Sequence, residues 1–224
     1  MPRHARGFDT DAAFAHLGKR DRKLGAWMKK LGPIEPDPRW RKPFDPVDAL
    51  ARAILYQQLS GKAAATIVGR VEAAIDSERF HCDTLARCDD ATIRACGVSG
   101  NKLLALRDLA LRESIGEIPD LRRMAKMDND AIIAALVPVR GIGRWTVEMM
   151  LMFRLGRPDV LPVDDLGIRK GAQRVDKLDE MPKPKELIER GERWGPYRTY
   201  ASLYLWRIAD AAVATKTPTK RSQD

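Results

Sequence analysis

Apolar residues recur at intervals of three and four along most of the chain, the period of a helix that buries one face. From Asp9 to Leu31 they fall at Phe14, Leu17, Leu24, Trp27, Met28 and Leu31, with a break expected near Gly18–Arg20. The segment from Gly32 to Pro46 holds five prolines and predicts an extended connector. Two buried helices should follow, over Pro46–Ser60 and, richer in alanine, over Gly61–Ile75. Short helices are expected to start at Cys82/Asp83 and at Asp89/Asp90, with Gly97 ending the second. Ser99 suits the N-cap of a helix running through Leu111, striped by Leu103, Leu106, Leu109 and Ala110. Pro119 and Asp128 open two more, and Pro138 closes the latter. A strongly apolar helix is predicted over Trp145–Leu155, and others from Asp165, Pro184 and Pro196. No sustained period-two alternation and no Asn-Gly turn marks a strand. The pattern predicts an all-α fold of about ten helices joined by short loops, arranged as two lobes with a central cleft.

Between two of these helices lies a glycine-punctuated turn, Val139-Arg140-Gly141-Ile142-Gly143. Glycine permits positive φ and close approach of a ligand to the backbone. Ile142 is expected to point inward and anchor the turn, with the peptide N–H groups near Gly143 and Arg144 facing outward at a helix start. Such a start favours an anion, and a DNA phosphate fits without any base-specific contact. Read alone, Gly-x-Gly is better explained by a tight turn between packed helices. A carboxylate pair, Asp164-Asp165, follows at the apparent start of another helix. One of the two is expected to cap it, a setting that favours the ionised carboxylate.

Charge strengthens the nucleic-acid reading. The net charge is +9 and the pI about 9.6, the balance of a protein with a polyanionic partner. Lys62, Lys102, Arg144 and Thr146 are candidates to reach phosphates, whereas Lys29-Lys30 and the terminal Lys216, Lys220 and Arg221 read as solvated surface. Three cysteines, spaced C-x5-C-x7-C, match no zinc module and lack a fourth iron–sulfur ligand. They read as buried or half-buried thiols in a reducing cytosol. No apolar run is long enough to span a bilayer and the N-terminus lacks a signal-peptide core, so a cytoplasmic protein with no membrane partner is expected.

Four blocks together carry a resemblance. They are AILYQQLSGKAA (Ala53–Ala64), GVSGNKLLALRDLA (Gly97–Ala110), the hairpin from Leu136 to Thr146 with the aspartate that follows, and WGPYRTYASLYLW (Trp194–Trp206). In these blocks and their order the chain resembles the helix–hairpin–helix DNA glycosylases, in the branch of AlkA-like 3-methyladenine glycosylases. The resemblance implies a two-lobed all-α fold, flipping of a damaged nucleotide and hydrolysis of its N-glycosidic bond. The 44 residues ahead of the match leave no room for the α/β domain of the branch's bacterial prototype, so a compact version is expected. The expected organisation is N-terminal helices and a Pro-rich connector packing on the core over 1–44, a glycosylase core over 45–213 with its hairpin at 136–150, and a basic disordered tail over 214–224.

The same resemblance assigns roles. Asp165 falls on the catalytic position and Asp164 on a cap or support. Trp145 stands where strand-nicking members carry a lysine, and tryptophan has no amine to form a Schiff base; a monofunctional enzyme is implied. Trp206 matches a pocket tryptophan. Trp145 is expected at the pocket floor, Met149 replaces an aromatic residue, and Tyr56 is placed to compensate. Gln57, Gln58 and Leu59 occupy the wedge position: Gln58 aligns best with it, and Gln57 suits a hydrogen bond to the opposite base. For each residue taken singly, core packing or a polar helix end is the ordinary alternative. A monovalent cation at the backbone of Val139 and Ile142 is allowed by the resemblance, and no organic cofactor is implied. The expected partner is double-stranded DNA carrying alkylated bases, bound by a monomer associated with a bacterial nucleoid. Two other readings stay open: a non-catalytic helix–hairpin–helix DNA-binding module, and a glycosylase for deaminated bases such as hypoxanthine.

Overall fold

A computed structural model describes residues 5–214 of the chain, with side chains through Ala211; the basic tail expected beyond them lies outside the described residues. Thirteen α-helices and two 3-10 turns make up the described fold, with no strand among the described residues. In chain order they are α1 (Thr10–Arg20), α2 (Arg22–Leu31), α3 (Pro46–Tyr56), α4 (Gly61–Ile75), α5 (Cys82–Leu85), α6 (Asp90–Ala95), α7 (Gly100–Ser114), α8 (Leu121–Met124), α9 (Asn129–Leu136), α10 (Arg144–Phe153), α11 (Leu166–Asp176), α12 (Pro184–Gly191) and α13 (Arg198–Ala214). The all-α expectation holds, and the number exceeds the expected ten because several helices are a turn or so long. The proline-rich connector contains a 3-10 turn, Pro38–Arg41.

Side-chain caps set most helix starts. Asp9, Asp21, Asp45, Ser60, Asp89, Ser99, Asp120, Asp128 and Asp165 each accept an amide of the first turn, so orphan donors are satisfied locally. The break between α1 and α2 falls at Asp21, just past the expected Gly18–Arg20. Cys82 and Cys88 are half-buried and Cys96 buried, all as free thiols.

The described chain forms two compact units, passing between them after Arg41 and after Val147. Unit 1 holds α3 to α9 and the glycine turn. In it α7 packs on α3, α5 and α6, burying Leu103, Leu106 and Leu109. His81 ties three of its segments: Nδ1 lies 2.6 Å from Glu113 on α7, and Nε2 lies 2.9 Å from Asp45, the cap of α3. Burial disfavours the charged imidazole, but the hydrogen bond to Glu113 and the charges of Asp45 and Glu113 outweigh it and raise the histidine above its ordinary range.

Unit 2 joins residues 5–41 to the chain after Val147. Its core is shared by helices far apart in sequence: Ala13 and Leu17 of α1, Leu24 and Met28 of α2, Ile168, Ala172 and Val175 of α11, and Tyr200, Tyr204, Leu205 and Ile208 of α13. A buried ion pair sits beside it. Asp21 accepts from Arg190 Nη1 at 2.7 Å and from the Trp194 indole at 2.9 Å while capping α2. Burial alone would raise this carboxyl, yet the Leu24 amide, the indole and Arg190 together hold it below the usual carboxylate range. The N-terminal segment is also latched to the end of α10. Arg6 donates to Arg154 O, and the Trp40 indole donates to Met152 O at 2.9 Å.

The His81 bridge predicts a pH dependence. A proton bound more tightly by the folded state stabilises fully below the unfolded pKa of about 6.5 and is lost as pH climbs through the raised folded value. The advantage of wild type over His81→Gln in urea midpoint should therefore shrink as pH rises from about 6.5 into the alkaline range. An advantage constant across that range would show that His81 acts through neutral contacts alone.

Candidate active site

Asp165 is held at the N-terminus of α11, where its Oδ1 accepts the Ile168 amide at 2.9 Å. The same oxygen accepts the Trp206 indole N–H at 2.8 Å. The cap expected of Asp164 falls to Asp165 instead, because the helix begins at Leu166; Asp164 is exposed. One carboxylate oxygen thus receives a backbone and a side-chain donor, which fixes its orientation.

Two glycines make this geometry possible. Gly167 and Gly171 stand four apart on α11, on the face turned to α13. A Cβ at Gly171 would lie well inside contact with the backbone carbonyl of Leu205. A Cβ at Gly167 would lie 2.7 Å from Cδ1 of Trp206 and 3.1 Å from Oδ1 of Asp165. The helices therefore approach backbone to backbone, one residue from the indole that meets the carboxylate.

Trp206 is half-buried and stacks on Phe153, ring centroids 5.9 Å apart and planes 19° apart. Arg39 lies 4.4 Å from the centre of the Phe153 ring. Asp37 holds Arg39 in place, accepting Nη2 at 2.6 Å. Phe153 and Arg39 were not among the sequence candidates. Their signal was present for Phe153, which follows Trp145 and Met149 at intervals of four on α10. Nothing local in sequence connects Arg39 with it.

The remaining candidates lie in unit 1, apart from Met149, which is half-buried in unit 2. Gly141 takes φ +78°, which explains its glycine, and Val139 and Ile142 are buried beneath the turn. Gly143 and Arg144 are exposed where α10 begins, and a Cβ on Gly143 would meet nothing within 4 Å. Thr146 is half-buried and Lys62 exposed. Trp145 is 50% and Tyr56 42% exposed, so neither is a core aromatic. Gln58 and Leu59 are exposed, and Gln58 sits at φ +56°, a left-handed conformation costing a side-chain-bearing residue about 1 kcal/mol. Gln57 is turned to the hairpin: its Nε2 donates to Gly141 O at 2.8 Å. Lys102, expected at a phosphate, is turned inward. Its Nζ donates to the carbonyls of Leu55 and Gln57, both at 2.8 Å, capping the end of α3, and burial lowers its pKa. Among the described residues no group of three or more His, Cys, Asp or Glu is placed to hold a metal ion.

A capped carboxylate under a tryptophan, in a helical fold with a glycine hairpin, defines a class. The chain matches the HhH-GPD superfamily base excision DNA repair protein family over residues 51–196 and belongs to it. It is similar to DNA-3-methyladenine glycosylase 1 of Schizosaccharomyces pombe, 35% identical over 90% of this chain and 88% of that protein. Among solved structures it resembles a DNA-3-methyladenine glycosidase from Bacillus halodurans, with TM-score 0.81 and 33% identity over 92% of this chain and 94% of that one. It also resembles the S. pombe 3-methyladenine DNA glycosylase in complex with abasic DNA, with TM-score 0.75 and 33% identity over 92% of this chain and all of that one.

The helix contact yields a prediction of sign. Helix propensity alone would make Gly171→Ala stabilising by about 1 kcal/mol. The clash with Leu205 O should instead destabilise the protein by about 3 kcal/mol, read from urea unfolding. A stabilised Gly171→Ala would mean that α11 and α13 do not approach this closely.

Proposed function

We propose that this chain is a monofunctional DNA glycosylase that flips alkylated purines, 3-methyladenine and 7-methylguanine, out of duplex DNA and hydrolyses their N-glycosidic bond. The observation that carries the reading is the Asp165 carboxylate, held by the Ile168 amide and the Trp206 indole. Membership of the base excision repair family and relatives named as 3-methyladenine glycosylases support it.

In an alkylated purine the ring is cationic or electron-poor and leaves readily. The bond from C1′ to the base breaks with its electron pair going to the base, and the sugar develops oxocarbenium character. A fixed carboxylate stabilises that charge. Water then adds its oxygen to C1′ and gives up a proton, to Asp165 or to solvent. The products are free base and an abasic site in an unbroken strand. Trp145 offers no amine for strand cleavage. Trp206, backed by Phe153, supplies aromatic surface beside the carboxylate, and an electron-rich ring attracts a cationic base by about 0.5–2 kcal/mol. Trp145 and Tyr56 expose further aromatic surface for an unstacked base, and Gln58 and Leu59 are exposed for insertion into the vacated stack.

The hairpin binds the DNA backbone. The exposed start of α10 at Gly143 and Arg144 places a helix N-terminus and a guanidinium where a phosphate can approach, with Thr146 and Lys62 adding polar contacts. The monovalent cation that the family resemblance allows would be held by carbonyls of Val139 and Ile142. Val139 O already accepts the Ile142 amide but keeps a second lone pair, so the hairpin fits such an ion, whose charge would add to the attraction for phosphate. One protomer suffices for these contacts.

The test uses duplex DNA carrying radiolabelled methyl groups, with chelator present. Wild type should release 3-methyladenine or 7-methylguanine and leave the strand intact until alkali is added. Asp165→Asn should retain binding but lose about a hundredfold or more in rate. Binding without release by either protein would leave a DNA-binding module, unless a second duplex containing hypoxanthine is processed, which would reassign the lesion. At the hairpin, Gly143→Ala should cost at most about 1 kcal/mol of stability, yet weaken duplex binding in a salt-dependent manner. Unchanged affinity would remove the hairpin from the DNA interface.

A further inference from the structure

Three contacts within unit 1 converge on one helix. Lys102, in the first turn of α7, holds the carbonyls of Leu55 and Gln57 that lead into the exposed turn at Gln58 and Leu59. One turn on, Ala105 packs under the glycine hairpin, its Cβ 3.4 Å from where a Cβ on Gly141 would stand. A further turn along, Asp108 accepts the backbone amide of Arg140 at 2.7 Å. Gln57 then joins the two supported segments directly, donating from Nε2 to Gly141 O at 2.8 Å.

We propose that α7 is a splint that fixes the inserting turn in register with the phosphate-binding hairpin, with Lys102 and Gln57 as positioning residues for nucleotide extrusion. The proposal rests on the reading of this turn as the wedge. Its physical content is a rigid distance. A phosphate bound at the hairpin sets where the DNA lies. Because the turn is tied to the same hairpin and the same helix, Gln58 and Leu59 meet the base stack at one place rather than sampling several. Binding energy gained at the backbone is then available to break a base pair instead of being lost in ordering a loop.

Two features fit this role better than plain structural capping. An ammonium is a costly group to turn inward onto two carbonyls when water is at hand, and here it serves the one helix end that leads into the exposed turn. Gln58 also keeps a left-handed backbone without being glycine, a conformation that persists where the surroundings over-determine it. The tethers on Leu55, Gln57 and Gly141 provide that determination. The amide of Gln57 is thereby engaged at the hairpin, so its role is to place the turn rather than to read the opposite base through that N–H.

The experiment compares a 7-methylguanine paired with cytosine to the same lesion opposite an abasic site, where no pair has to be broken. Lys102→Met and Gln57→Met should each lose about tenfold more kcat/KM on the paired lesion than on the unpaired one. Lys102→Arg, which can still bridge two carbonyls, should restore the ratio. Gln57→Met leaves the cap of α3 intact and serves where Lys102→Met fails to fold. Equal losses on both substrates, or none, would overturn the proposal. Insertion is read separately by 2-aminopurine beside a stable abasic analogue, whose fluorescence should rise with wild type and rise less with either variant. If wild type releases no base from either duplex, the lesion assignment fails on its own. The fluorescence then decides: a rise lost in the variants supports the splint, and an unchanged rise refutes it.

Discussion

The close approach of α11 to α13 sets the geometry of the candidate catalytic group. Gly171 lets the α11 backbone rest against Leu205 O, and the next residue along α13 is Trp206. Its indole reaches Asp165 because Gly167 presents no side chain between them. The carboxylate is also the cap of the helix whose packing brings the indole in. Helix start, helix crossing and carboxylate orientation are thus one arrangement. A carboxylate that must meet developing positive charge benefits from being fixed beforehand, because no reorganisation is then needed as the charge appears.

That arrangement is buttressed from the N-terminal segment. Arg39, held by Asp37, covers one face of Phe153, which stacks on Trp206. Arg6 and Trp40 bind carbonyls near the end of α10, and Gly156 leaves space for the backbone of Gly7. Helices α1 and α2 bury Leu17, Leu24 and Met28 in the same core as α11 and α13. Residues 5–41 are therefore part of the fold that holds Asp165 in place. Truncating them would expose the side chains on which α13 rests.

Much of this was readable in the residues, for reasons that are local. Asp128, Ser99 and Asp165 announce helix starts because a cap is a short-range hydrogen bond. Gly141 announces its turn because only glycine takes φ +78° without strain. What was not readable depended on partners distant in sequence. Nothing local marks Asp21, yet its burial with Arg190 and Trp194 makes it the junction of α1 and α2. Lys102 looked like a phosphate ligand because a lysine near a helix start usually faces solvent; its carbonyl partners lie more than forty residues earlier. The discontinuous make-up of unit 2 was hidden for the same reason. Periodicity shows which face of a helix is buried and not which other helix buries it.

Under the proposed function, the two units would divide the chemical demands in a way that follows from their contents. Unit 1 carries the hairpin, the exposed turn and several basic helix starts, and side chains there tie the turn and the hairpin through their backbone groups. Unit 2 carries Asp165 and its aromatic neighbours, with the Trp206 indole held directly against the carboxylate. Backbone-supported contacts suit a partner whose recognised feature is a repeating phosphate, identical at every step. Side-chain contacts suit a single reacting base, where one methyl group or one charge decides the outcome. Under the proposed function, the hairpin would hold DNA of any sequence, and release of the base would rest with the few residues around Asp165.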